Sequence, residues 1–171
     1  MRHMKNARRR EGRYGTTIGK ENRSSARKID LAVCAVGARM TIVSADGERT
    51  VPADQFFLGV YLTAVGPGEL LTKLEIPAGK HDGFAAVTLG ADGTCIANAA
   101  ASLNGGLRVA LGCVDAVPVV LELDGPGEDA VRSAVRAANL QPPSDVHASS
   151  EYRAHLAEVL AIRAVRDAQG S

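Results

Sequence analysis

A chain of 171 residues, 46% of them hydrophobic, can bury one domain's core or the cores of two small subdomains. Aromatic residues make up only 4% and tryptophan is absent, which argues against the stacking platforms that hold single-stranded nucleic acid. The net charge of +1 hides an asymmetry: positions 1–30 carry ten Lys/Arg and three acidic residues, the rest ten and sixteen, so a basic head precedes a mildly acidic body.

The head, residues 1–28, is polar and highly charged and is expected to be a disordered leader. A basic arm of this kind could touch nucleic acid or a membrane surface, but nothing in the body supports that use. Residues 30–40 (DLAVCAVGARM) form an apolar run of small residues that fits a short helix or a buried strand equally well. Residues 39–51 predict a β-hairpin turning at Ala45-Asp46-Gly47. Phe56 and Phe57 are expected to anchor the following loop in a core, and residues 69–76 alternate as a strand before Pro77. Three further strands, over 84–89, 94–103 and 107–114, are joined by Asp-Gly and Asn-Gly-Gly turns into an antiparallel meander. Residues 128–140 place Ala130, Val131, Ala134, Val135 and Ala138 on one helical face, with Glu128 and Asp129 at the end that favours acids. A last helix, capped by Ser149 or Ser150, is expected to bury Tyr152, Leu156, Val159, Leu160 and Ala164. Strands first and helices last predict an α+β fold, with the helices on one face of the sheet.

Self-contained chemistry is not visible. No phosphate loop, dinucleotide fingerprint, nucleophile elbow or zinc-protease motif occurs, and His3, His81, His147 and His155 share no metal-ligand spacing. Asp46, Asp54 and Asp92 fit turns and loops. Cys34, Cys95 and Cys113 lie far apart in apolar runs without a C-x-x-C, against a zinc or iron–sulfur site held by this chain and in favour of reduced thiols in the cytoplasm. No secretory signal is expected, and no apolar run approaches the roughly 18 residues of a membrane helix.

Three segments carry a resemblance. Residues 144–168 (SDVHASSEYRAHLAEVLAIRAVRDA) offer Asp145, Ser149, Tyr152, Arg153, Leu156, Leu160, Arg163 and Ala164 in a pattern of Asp, Ser, Tyr-Arg and a helix ending in Arg-Ala. Residues 47–77 combine paired phenylalanines, Thr, Gly-Glu-Leu-Leu and Ile-Pro, and residues 96–123 form a strand pair with a Gly and a Pro. In this order they resemble the C-terminal portion of the FAD-binding medium subunit of molybdenum hydroxylases, the carbon monoxide dehydrogenase and xanthine dehydrogenase type.

The resemblance implies the end of an FAD-binding domain over residues 29–80, then a flavoprotein C-terminal domain over 81–171 built on a three-stranded antiparallel sheet. It implies FAD in this subunit, and molybdopterin and [2Fe–2S] clusters in large and small partner subunits, with electrons passing from the clusters to FAD and on to an acceptor. It implies Thr17, Ile18, Gly19, Asp30 and Leu71 as FAD-binding residues. Thr17 and Gly19 would offer donors to phosphate, Asp30 would accept from a ribitol or ribose hydroxyl, and Leu71 would pack on the flavin ring. There are departures. The family's first lobe, with its Gly-Gly phosphate motif, has no counterpart in this sequence, so a truncated or divergent subunit is expected. "TIGKEN" stands where the family has Thr-Ile-Gly-Gly-Asn, putting Lys20 for glycine and Glu21 for asparagine. Ala86 and Val87 occupy the neighbourhood of a family lysine near the flavin. The rival expectation is a docking or structural domain that has lost FAD binding.

Overall fold

The computed structural model describes residues 7–12, 15–20, 29–90 and 93–170. Within the stretch read as a disordered leader, β1 (Ala7–Gly12) pairs with β2 (Gly15–Lys20) as an antiparallel hairpin. The rest of that stretch lies outside the described residues.

The ambiguous run at 30–40 is a helix followed by a strand. Helix α1 (Ile29–Ala35) ends where Gly37 takes a left-handed conformation, φ 66°. There the Ala38 N–H reaches the Val33 carbonyl at 2.9 Å and the Gly37 N–H reaches Cys34 at 3.1 Å. This paired closure satisfies the last helical carbonyls and turns the chain sharply into β3 (Arg39–Ser44). The predicted hairpin follows: β3 pairs with β4 (Gly47–Pro52) across Ala45-Asp46, with Gly47 at φ 141°. A single turn, α2 (Ala53–Phe56), and a small hairpin of β5 (Phe57–Gly59) and β6 (Leu62–Thr63) lead to β7 (Leu70–Glu75), which pairs with the other side of β3. Phe56 is buried and meets Phe57 edge-to-face, with ring centroids 5.2 Å apart.

The meander is also present, over β8 (Asp82–Leu89), β9 (Thr94–Ser102) and β10 (Leu107–Gly112). Its sheet has four strands, not the expected three. After Pro118 the chain resumes as β11 (Val119–Leu123) on the outer edge of β10. A proline can open an edge strand because its missing N–H then faces away from the ladder, so it interrupts the chain without ending the sheet.

Two helices, α3 (Glu128–Ala137) and α4 (Ser150–Gln169), cover one face of this sheet. Ser149 caps α4, its hydroxyl accepting from the Tyr152 N–H at 3.2 Å. The buried stripe is turned from the expected one: Tyr152 is about half exposed, whereas Arg153, Leu156, Ala157, Leu160, Ala161, Ala164 and Val165 are buried. The helix sits close to the sheet because its inner face is largely alanine and because β8 presents Gly83. A Cβ at Gly83 would fall on the Ala164 carbonyl and the Ala168 amide. Asp167 then accepts from the Phe84 N–H at 3.0 Å.

The sheet's other face packs on the first half of the chain. Ala100 and Ala110 join Leu31, Met40, Ile42 and Phe56 in a second core. Arg108 on β10 crosses the same joint, reaching Asp54 at 3.0 Å and Glu122 at 2.9 Å. In this core the Cys34 thiol donates to the Ala53 carbonyl at 3.4 Å. Burial, helped by Asp30 and Asp54, pushes its pKa up to about 12, so it is a packing residue rather than a reactive one.

Candidate functional site

A cavity of about 550 Å³ opens where the two halves meet. That is within the usual range for a small-molecule or cofactor site. One wall is the start of α1, with Asp30 and Leu31; the second is the Phe57–Thr63 hairpin. The third is the floor of the four-stranded sheet at Asn98 and Gly112, with the loop through Asp115 and Val117. The hairpin turns through Val60 and Tyr61, and Tyr61 is held at φ 60° with its side chain fully exposed. Cys113 also takes positive φ, 64°, where β10 leaves the sheet.

The floor is held from below by Arg153. Its guanidinium donates to the carbonyls of Ile96 and of Cys113, the latter at 3.3 Å, and to Asp145 at 2.6 Å. Asp145 itself accepts from the His147 and Ala148 N–H groups at 2.9 and 3.0 Å. These hold its carboxyl below the ordinary aspartate range, the His147 N–H most strongly, with Ala148 and Arg153 adding and partial burial opposing. The segment that links the last two helices is thus tied to the strand ends that line the cavity.

Asp30 lines the cavity. Leu71 lies on β7 beside Ile42, 47% exposed, so an apolar side chain is available to a ring from outside. Thr17, Ile18 and Gly19 lie in β2, opposite Arg10, Arg9 and Arg8. Their neighbours Glu21 and Asn22 are outside the described residues. Sequence reasoning did not select Asn98, which sits in a run of alanines on a central strand; an amide in an otherwise apolar strand is the signal that could have found it. Among the described residues no group of His, Cys, Asp and Glu side chains could hold a metal ion. No helix of the described residues is long and apolar enough to cross a membrane.

Residues 9–79 match the family described as the FAD binding domain in molybdopterin dehydrogenase, a match that begins inside the stretch read as a leader. The carbon monoxide dehydrogenase medium chain of Afipia carboxidovorans is 30% identical over 92% of this chain and 62% of its own length. The alpha subunit of the 6-hydroxypseudooxynicotine dehydrogenase complex of Paenarthrobacter nicotinovorans is 25% identical over 84% of this chain and 55% of its own. The solved carbon monoxide dehydrogenase of Oligotropha carboxidovorans superposes with a TM-score of 0.72 at 26% identity, covering 85% of this chain and 57% of that one. The chain is related to the FAD-binding medium subunits of the molybdenum hydroxylases. The solved quinoline 2-oxidoreductase of Pseudomonas putida 86 superposes with a TM-score of 0.69 at 28% identity, covering 85% of this chain and 57% of that one. The chain spans little more than half the length of most of these relatives.

The cavity's residues fit the ring and sugar parts of FAD. Leu31, Phe57 and Val117 supply apolar walls, and the Asp30 carboxylate at the rim can accept from a hydroxyl. An unpartnered buried amide at the floor, that of Asn98, also points to a ligand with hydrogen-bonding groups.

Proposed function

We propose that the chain is the flavin-carrying part of a molybdenum-hydroxylase-type oxidoreductase. In this reading a large molybdenum subunit and a small subunit with [2Fe–2S] clusters are its partners in the cytoplasm. FAD, when bound, supplies the redox chemistry between the clusters and a final acceptor. The chain's own residues bind and orient it. Asp30 accepts from a ribityl or ribose hydroxyl, Leu71 packs on a ring face, and the backbone near Thr17, Ile18 and Gly19 serves the phosphates. The observation that carries the reading is the cavity with Asp30 at its rim, built in part from the segment that matches the FAD-binding family.

Titration of the purified chain with FAD, followed by flavin fluorescence quenching and the visible spectrum, tests it. Saturable binding at micromolar concentration or below, weakened by Asp30→Asn, is the expected result. Absence of binding at high micromolar FAD would sink the reading and leave a docking domain that has lost the cofactor. The second reading draws support from β2, where Thr17, Ile18 and Gly19 lie in a strand ladder rather than a phosphate-gripping turn.

A further inference from the structure

Asn98 is an anomaly of the interior, the one neutral side chain among the described residues with buried polar atoms left unpaired. It is 1% exposed, and neither its Nδ2 nor its Oδ1 has a hydrogen-bond partner. Each buried polar group left unpaired is costly, and a leucine of the same shape would avoid that cost. A native chain that keeps such a group at a cavity has a use for it more often than not.

The surroundings leave the amide its room. On its face of the sheet Asn98 lies between Ala86 of β8 and Gly112 of β10. A Cβ at Gly112 would collide with Asn98 Oδ1. Gly112 therefore leaves the room that the amide occupies, and both residues line the cavity. Both polar atoms are buried in this conformation, so contact with an occupant requires the carboxamide to rotate toward the cavity, with Ala86 and Gly112 as its small neighbours.

The charge pattern selects which end of a ligand enters. Among the described residues lining the cavity are two carboxylates, Asp30 and Asp115, and no Lys, Arg or His. A pyrophosphate is repelled there, whereas a neutral ring is accepted. A carboxamide offers a donor and an acceptor side by side. Its complement is a ring edge with adjacent N–H and C=O groups, which the pyrimidine ring of a flavin carries at N3 and its flanking carbonyls.

We propose that Asn98 recognises the pyrimidine edge of the flavin ring at the floor of this cavity. The inference rests on the flavin reading above, and the test separates the two. FAD and its 3-methyl analogue, which lacks the N3 proton, are titrated into the purified full chain and into Asn98→Leu, and both proteins are melted without flavin. The expected result is binding of FAD about tenfold tighter than of the 3-methyl analogue by the native chain, the loss of one hydrogen bond. Asn98→Leu is expected to bind both equally and to melt at or above the native temperature. Equal binding of the two flavins by the native chain, or a leucine variant that melts well below it, overturns the assignment to Asn98 and leaves the flavin reading standing. No binding of FAD to the native chain overturns both.

Discussion

Arg153, in the first turn of α4, turns its guanidinium inward against two main-chain carbonyls, although the chain places it beside a tyrosine in a helix that begins at the surface. Replacing it with methionine keeps the volume but strips charge-assisted hydrogen bonds from a group only 4% exposed. The expected loss is about 2–3 kcal/mol, a fall in melting temperature of roughly 5–10 °C, measured by circular dichroism. Its partner Asp145 adds a pH dependence. The folded-state pKa of Asp145 lies below its unfolded value. Its contribution is therefore complete above the unfolded pKa, about 3.9, and is lost as pH falls through the folded one. Urea midpoints should decline below about pH 4, and Asp145→Asn should weaken the protein at pH 7 while flattening that decline. Glu69, held down chiefly by Arg49, and Glu158, held down chiefly by Arg136, act in the same direction. Periodicity alone put Tyr152 in the buried stripe and did not include Arg153. What overrides the pattern is the set of acceptors that only the folded chain brings together: Asp145 eight positions earlier, the Ile96 carbonyl of β9 and the Cys113 carbonyl just past β10.

At the scale of elements the sequence was most legible where turn chemistry is local. Asp-Gly and Asn-Gly-Gly punctuate the hairpins, and Gly47, Gly93, Gly105 and Gly106 take the positive φ that these turns require. Proline near 118 hid β11, since a break in the ladder looks the same from sequence whether or not the strand pairs again. The contact of α4 with β8 was not legible. It depends on Gly83, which sits in a strand at ordinary φ and announces nothing locally. Gly83→Ala would drive a methyl into the backbone of α4, which cannot yield as a side-chain end can. The expected destabilisation is at the upper end of about 1–3 kcal/mol. A variant that melts within 2 °C of the native chain, by roughly the conversion for a protein of this size, would show that the helix can lift from the sheet without cost.

For the whole molecule, the four-stranded sheet is the shared middle layer. Its one face carries α3 and α4, and its other face completes the core of α1, β3 and α2. A division at residue 80, proposed from the resemblance, would therefore cut through a common core and through the Arg108–Asp54 pair. We expect a single calorimetric unfolding transition whose van't Hoff and calorimetric enthalpies agree. Two separated peaks would show that the halves are independent domains. The candidate site follows the same logic: its walls come from both halves, so no single motif could reveal it, and Asp30, expected from sequence, is among the residues that line it. The bond from Phe84 to Asp167 has a consequence at this scale too. β8 is an outer strand of its sheet, and the carboxylate takes one of the N–H groups that a strand from another molecule would need. A carboxylate laid along that border also repels the carbonyls of any incoming strand. The last turn of α4 thus disfavours edge-to-edge pairing along this part of β8.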